Sequence, residues 1–365
     1  MNQAIIQPQV LNKMPIVASI GKTHRIRSRI RFLLRAFMMI FLEAFLYPVL
    51  RGWERLKWHR KVASVTLTND PVFILGHWRS GTTFFHTLMA QDAQFGVMTN
   101  AKTFFPWFME AGKKSVVRAV IARLIPEKRW DNVALTPDSP QEEEFAIDRL
   151  FGASAYTGWC RPARLRRFFE KYILLQFEDE ANRTRFGQQY LYVLKKLTAI
   201  CGDRQLLLKN PPNTGRISLL LKLFPNARFI YLSREPAEVY YSTIRMHEQL
   251  FARFATAASD NLGLPLFVSD FYTRLLDRYE TEKTLIPPNN LIEVKYEQFI
   301  RHPEQTLENI YTALNLPGFS NALPAFRAFL ETQKNFRPAS YLLTPCERAV
   351  TNQLMKTGNS SSSHY

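Results

Sequence analysis

Two stretches of this sequence carry residue types suited to gripping anionic groups. The first is Gly76-His77-Trp78-Arg79-Ser80-Gly81-Thr82-Thr83, preceded by the apolar run Val72–Leu75 and followed by the apolar, helix-like residues 84–89. Strand, tight loop and helix in that order make a phosphate cradle. The glycines let the backbone bend so that successive N–H groups face an anion, and the helix start adds unpaired donors and partial positive charge. The spacing matches G-x-x-x-x-G-K-[ST] except that Thr82 stands where a nucleoside triphosphatase carries the Lys that reaches the β- and γ-phosphates. Arg79 supplies a cation from inside the loop instead. No aspartate ends a later strand to hold magnesium, because the run at 206–208 leads into Lys209-Asn210-Pro211-Pro212, so nothing in the pattern requires a metal.

The second stretch runs from Ala227 to Thr243. Arg234 closes an apolar run, and Ser242 follows it by eight positions in a segment with helical character. A guanidinium offers a charge-assisted, bidentate grip on a phosphate, and a Ser hydroxyl adds a neutral donor. Pairing of Arg234 with Glu235 or Glu238 would give it an ordinary surface role.

These residues need a frame that brings them together. Short apolar runs bounded by turn signals recur at 72–75, 206–208, 229–232 and 291–294, each of a length suited to a buried strand. Between them, 84–89, 190–200 and 217–224 have helical periodicity, the last closed by Pro225 and Asn226. Strands alternating with helices predict an α/β fold, a parallel sheet flanked by helices, with ligands bound outside the carboxyl ends of the strands. No repeat at a fixed period is present, and 365 residues at 46% hydrophobic content fill one large domain. The net charge of +17 favours anionic ligands. Cys160, Cys201 and Cys346 show no metal or disulfide spacing, which points to a reducing, cytoplasmic compartment.

Arg79-Ser80-Gly81-Thr82-Thr83 after a strand resembles the 5′-phosphosulfate loop of sulfotransferases. Arg234 with Ser242 is similar to that family's 3′-phosphate site, and Val294-Lys295-Tyr296-Glu297-Gln298-Phe299 is similar to a late strand-ending segment of many members. The resemblance covers residues 71–316 and is closest to the bacterial branch, with Lys-Asn-Pro in the middle strand. It implies the P-loop-like sulfotransferase fold and transfer of a sulfonate from 3′-phosphoadenylyl sulfate (PAPS) to an acceptor hydroxyl without a metal. Arg79, Ser80, Gly81, Thr82, Thr83, Arg234 and Ser242 would bind the donor. The Arg-Lys-Gly loop of the cytosolic animal enzymes has no match. Three regions are then expected: a basic and apolar helical segment over 1–60, the catalytic domain over 70–345, and a disordered tail over 356–365.

Sulfonyl transfer spreads charge over the moving oxygens and the leaving phosphate, so positioned cations carry much of the catalysis. Lys209 aligns with the Lys of the cytosolic Lys-x-His motif, with a salt bridge at a strand end as its structural alternative, and Pro211 takes the place of the His. The base must come from elsewhere. The acidic cluster Asp138-Ser139-Pro140-Gln141-Glu142-Glu143-Glu144 supplies the candidates Glu142 and Glu144, since other branches of the family use a Glu. Ser139 with Glu142 also spells a helix capping box, a structural task for Glu142. His77 and His86 are alternatives. Segments 100–198 and 247–283 would build the acceptor pocket, with Phe104, Phe105, Trp107, Phe108, Trp159 and Phe168 as apolar lining or ordinary core, and a hydrophobic, lipid-like alcohol as acceptor.

Residues 25–50 mix arginines with a strong apolar run. They fit either a helix docked on the domain or a basic amphipathic helix on a membrane surface. A P-loop nucleotide kinase is the main rival reading, opposed by Thr82. A nucleic-acid-binding protein is another, and no recognisable binding module supports it.

Overall fold

The computed structural model describes residues 47–333 apart from 68, 126–134, 203 and 256–262, together with residue 351. The chain divides into two compact units, 1–49 and 50–365. Most of the basic and apolar stretch at 25–50, the tail at 356–365 and Cys346 lie outside the described residues.

Strands β1 (Val72–Leu75), β2 (Phe95–Val97), β3 (Gln205–Lys209), β4 (Arg228–Ser233) and β5 (Leu291–Lys295) form one sheet in the order β2-β3-β1-β4-β5. Every pairing is parallel, with Ile74 opposite Lys209, Leu75 opposite Tyr231 and Ser233 opposite Lys295. Helix α1 (Tyr47–Ala63) precedes the sheet, and α2 (Thr82–Met89) joins β1 to β2. The long connection from β2 to β3 carries α3 (Asn100–Phe104), α4 (Val116–Leu124), α5 (Glu144–Phe151), α6 (Thr157–Cys160), α7 (Leu165–Tyr172) and α8 (Glu180–Cys201). Helix α9 (Ile217–Leu223) joins β3 to β4, and α10 (Pro236–Phe254) and α11 (Leu264–Glu282) lie between β4 and β5. The described part closes with α12 (Tyr296–Arg301), α13 (Pro303–Ala313) and α14 (Phe319–Thr332).

Strand β1 is buried along its whole length, which explains its unbroken apolar run. Val72 and Ile74 pack into a core with Phe85, Leu88 and Met89 of α2 and Leu307 and Ile310 of α13. Phe73, pointing the other way, meets the rings of Phe229 and Phe224. Helices therefore cover both faces, as the sequence pattern predicts. Strand β2 is the element that pattern misses: Phe-Gly-Val is short and holds a glycine. Gly96 is there because a Cβ would come within 2.9 Å of the Cβ of Cys201, on α8 packed behind the edge strand.

The expected capping box does not form. Ser139 is engaged in a turn, where its hydroxyl accepts from the Thr136 N–H at 3.1 Å and its own N–H donates to the Thr136 hydroxyl at 3.0 Å. Pro140 bridges to Thr99, and α5 begins only at Glu144. Glu142 is thereby released from the structural task its sequence position suggests. At the other end of the β2–β3 connection, Asp179 caps α8 by accepting from the Asn182 N–H at 2.7 Å. Helix α1 is held by Glu54, whose carboxylate meets Lys196 and the Tyr192 hydroxyl at 2.8 Å, and by buried Trp58. Among the described residues no helix is long and apolar enough to cross a membrane.

Candidate active site

The loop after β1 owes its shape to three residues in left-handed or glycine-only conformations: Gly76 (φ 143°), Arg79 (φ 69°) and Gly81 (φ 93°). A Cβ on Gly76 would stand 2.6 Å from the Leu232 carbonyl oxygen, so the loop can lie flush on β4 only with glycine there. Thr214 clamps the same peptide from the other side. Its hydroxyl accepts from the Gly76 N–H at 2.9 Å and donates to the Gly76 carbonyl at 3.2 Å. Ser80 is buried, and its hydroxyl closes the turn by donating to the His77 carbonyl at 2.8 Å. Trp78 ties the loop to the helical layer through the rings of Phe169 and Phe271, and its indole N–H reaches the Tyr156 hydroxyl at 3.3 Å. No side chain caps the start of α2, so its first N–H groups retain their anion-binding capacity.

The second anchor meets the first. Arg79 donates from Nε to the Ser242 hydroxyl at 2.9 Å, and Arg234 donates to the Arg79 carbonyl at 3.1 Å. The Arg234 guanidinium lies over the Tyr296 ring, 4.7 Å from its centre, with Glu238 3.7 Å away. Tyr296 also touches the loop: a Cβ on Gly81 would run into its ring. The residues expected to bind the donor thus converge at the carboxyl ends of β1 and β4, where a doubly wound sheet places its ligands. The side chains of Ser80 and Thr82 are buried, so what these two residues present at the loop surface is backbone.

Beside the loop, at the end of β3, stands Lys209. It donates to the Thr83 hydroxyl at 3.2 Å and forms an ion pair with Glu142. The other oxygen of Glu142 accepts from the Tyr156 hydroxyl. The next two carboxylates go elsewhere. Glu143 is fully buried, accepts from Tyr190 and the Asn213 amide at 2.7 Å each, and leaves Oε2 without a partner. Burial is the main force raising its pKa. Glu144 is gripped by Arg216 through two hydrogen bonds of 2.7 and 3.0 Å, with Asn210 at 2.9 Å and Ser154 at 2.8 Å. Burial pushes the Glu144 pKa up, but the Arg216 charge and these hydrogen bonds together outweigh it and hold the group below its ordinary value. Glu142 and Glu144 are thus near neighbours in sequence, and the fold brings both to the end of β3, yet only Glu142 faces Lys209 and the loop.

Both candidate histidines are buried. Burial pushes His77 down to about 4, and burial followed by the nearby Lys209 charge pushes His86 down to about 3. Each is neutral at physiological pH. His77 Nδ1 is engaged with the Trp78 carbonyl at 2.8 Å, and His86 Nε2 has no partner.

An aromatic wall adjoins Glu142. Tyr156 stacks on Trp159 with ring centres 4.0 Å apart, and Phe145 links Tyr156 to Phe104. Of the other aromatic residues singled out by sequence, Phe105 and Phe108 pack around Ala101, Ile121 and Ile125, Trp107 is buried, and Phe168 stacks on Tyr172. Sequence reasoning missed Tyr156, Thr214 and Arg216. The latter two lie just beyond Lys209-Asn210-Pro211-Pro212, and that proximity was the available signal. Tyr156 has none.

The family profile described as "Sulfotransferase family" matches residues 71–321. The omega-hydroxy-beta-dihydromenaquinone-9 sulfotransferase Stf3 of Mycobacterium tuberculosis is 31% identical over 314 residues, spanning 82% of this chain and 77% of that protein. The protein of the same name from Mycobacterium bovis matches to the same extent. Among solved structures, sulfotransferase STF9 from Mycobacterium avium aligns with a TM-score of 0.66 at 18% identity, covering 83% of this chain and 78% of that one. Sulfotransferase STF1 from Mycobacterium tuberculosis gives 0.62 at 15%, covering 84% and 81%. At such identities the two structures speak to the fold, a parallel sheet flanked by helices around a P-loop-like turn, while the profile and the Stf3 relatives speak to the lineage. The chain belongs to the sulfotransferase family.

Proposed function

We propose that the enzyme transfers the sulfonate of PAPS to the hydroxyl of a lipid-like alcohol, with Lys209 and Glu142 as its catalytic pair. The observation that carries this reading is the placement of that pair beside Thr83, at the mouth of the loop that would hold the donor's phosphosulfate. In this scheme Arg79 and the first N–H groups of α2 bind the sulfonate end, while Arg234 and Ser242 bind the 3′-phosphate. Supporting the fit, the loop is built on glycines whose Cβ atoms would fill the cradle's walls, and its cations converge from two strand ends.

The acceptor oxygen forms a bond to sulfur as the bond from sulfur to the bridging phosphate oxygen breaks, and adenosine 3′,5′-bisphosphate departs. Glu142 takes the hydroxyl proton. Lys209 is freed from its ion pair as the donor's anionic oxygens compete for it, and it neutralises charge growing on the leaving oxygen. Pro211 cannot take a proton, and Glu144 has both oxygens committed to Arg216, Asn210 and Ser154, whereas Glu142 faces Lys209 and the loop; that placement supports Glu142 as the base.

The lipid-like acceptor is supported by the wall of Phe104, Phe145, Tyr156 and Trp159 beside Glu142, and by the Stf3 relatives, whose name specifies an omega-hydroxylated menaquinone. Residues 25–50 would add a peripheral membrane contact. Incubating the enzyme with labelled PAPS and a hydroxylated isoprenoid quinone or a polyprenyl alcohol, followed by mass analysis, tests the reading. A gain of one sulfonate on the alcohol is expected. Transfer to water-soluble phenols but to no lipid alcohol would reject the acceptor class, and no turnover of PAPS with any acceptor would reject the donor.

A further inference from the structure

Helix α4 has two unlike faces. Arg118 and Ile121 point inward and line a cavity of about 440 Å³ that mixes apolar residues such as Val97 and Met109 with the charged Lys102, Glu110 and Arg204. The Arg118 Nη1 atom is buried there without a partner, while Nη2 pairs with Asp138 at 2.6 Å. The outward face presents Val116, Val117 and Val120, which are 79%, 41% and 46% exposed. Three valines left in water on one short helix form an apolar patch that a soluble surface ordinarily avoids.

Among the described residues, the exposed charges on α4 and in the two residues 113–114 before it are basic, and the acidic Glu110 and Asp138 nearby are held in ion pairs. Lys113 and Lys114 precede the helix, Arg123 lies in its last turn, all three are exposed, and no acidic residue occurs from Ala111 to Ile125. The ion pair between Lys57 and Glu110 and the contact of the Trp53 ring with Phe108 at 5.4 Å bring α1 to the turn that leads into α4. On α1, Trp53 and Leu56 are 40% and 87% exposed among Arg55, Arg60 and Lys61, and its acidic residue Glu54 is buried against Lys196.

We infer that α4, with the neighbouring edge of α1, is a docking face for an anionic lipid bilayer. Valines without polar groups, ringed by lysines and arginines, match an acyl layer beneath phosphate headgroups; a bilayer supplies both and needs no shape-complementary pocket. The face is formed by residues from Trp53 onward, which follow the stretch at 25–50 in the sequence. It also places the cavity beneath α4 next to the lipid phase.

Sedimentation of the full chain with vesicles of phosphatidylglycerol or of phosphatidylcholine, without donor or acceptor, tests this. Binding to the anionic vesicles that weakens with salt is expected. Val117→Asp with Val120→Asp should lower it at least tenfold. Lys113→Gln and Lys114→Gln should each cost roughly fivefold, from about 1 kcal/mol per basic residue at such a surface. These residues lie outside the proposed catalytic machinery, so the variants should retain their melting temperature and their turnover of a short, water-soluble alcohol. Absence of vesicle binding overturns the inference. So does binding that survives the α4 changes but is lost on deleting residues 1–46, or a concentration-dependent dimer that the α4 changes abolish in place of vesicle binding. Because sedimentation uses no donor or acceptor, failure of this inference is distinguishable from failure of the proposed reaction.

Discussion

Glu142→Gln and Glu144→Gln alter neighbouring carboxylates by the same atoms, and the structure predicts opposite kinetic consequences. Each change strips a buried cation of its counter-charge, Lys209 in the first case and Arg216 in the second. Breaking a buried pair by neutralising one partner costs about 3–5 kcal/mol. At a few degrees per kcal/mol, both variants should melt on the order of 10 °C below the parent. Melting alone therefore does not separate them. The rate does: as the proposed base, Glu142 should contribute roughly two to four orders of magnitude to the chemical step, or about 2.7–5.4 kcal/mol of barrier. Glu144 should contribute little, because its oxygens are fixed on Arg216, Asn210 and Ser154. The assay is single-turnover transfer from saturating PAPS at a temperature where both variants are folded by near-ultraviolet circular dichroism. If Glu142→Gln transfers within about threefold of the parent, or if folded Glu144→Gln is the slower of the two by the scale of a lost base, the assignment of the base is wrong.

Other perturbations probe the donor site and the fold. Arg234→Ala should weaken PAPS at least tenfold in calorimetry and hardly affect adenylyl sulfate, which lacks the 3′-phosphate; equal losses for both would reject that contact. Ser242→Ala should weaken PAPS less selectively, since it also removes the hydroxyl that receives Arg79. Gly81→Ala should abolish donor binding and lower the melting temperature, because the methyl meets the Tyr296 ring at a φ of 93°; unchanged PAPS titration would show that the loop tolerates it. Stability should also fall with acid. Burial holds His77 and His247 at about 4 and His86 at about 3. The unfolded chain protonates them from about 6.5 downward while the native state does not. Stability is therefore full above that value and declines as pH falls toward 4, by about 1.4 kcal/mol per pH unit for each histidine. A melting temperature that stays flat from pH 7.5 to 5 would contradict this.

The parts of this enzyme legible in its sequence are those whose chemistry is local. The loop from Gly76 to Thr83 is read from consecutive residues, and Arg234 with Ser242 from one strand end and the helix after it. The parallel sheet follows from fully apolar runs such as Val72–Leu75, because both faces of the strand are covered. The roles of the acidic cluster were not legible. Glu142, Glu143 and Glu144 are alike in sequence and differ only in what the end of β3 and the turn after it bring to them: Lys209, Asn213 and Arg216 respectively. The capping-box pattern at Ser139 misleads because Thr136, three residues earlier, competes for the same hydroxyl. Strand β2 escapes notice because its Gly96 answers to Cys201, which lies on a different element.

The contact of Tyr296 with Gly81 has a consequence for biosynthesis. The donor loop is made near the beginning of the catalytic domain, but the ring that backs it, and over which Arg234 lies, belongs to the residue that follows β5. A nascent chain on the ribosome therefore exposes Arg79 to Thr83, and later Arg234 and Ser242, long before that wall is in place. Competence to hold the donor should switch on late and in one step, when β5 pairs with β4 and carries Tyr296 into position. Until then the half-made enzyme should hold none of its proposed donor.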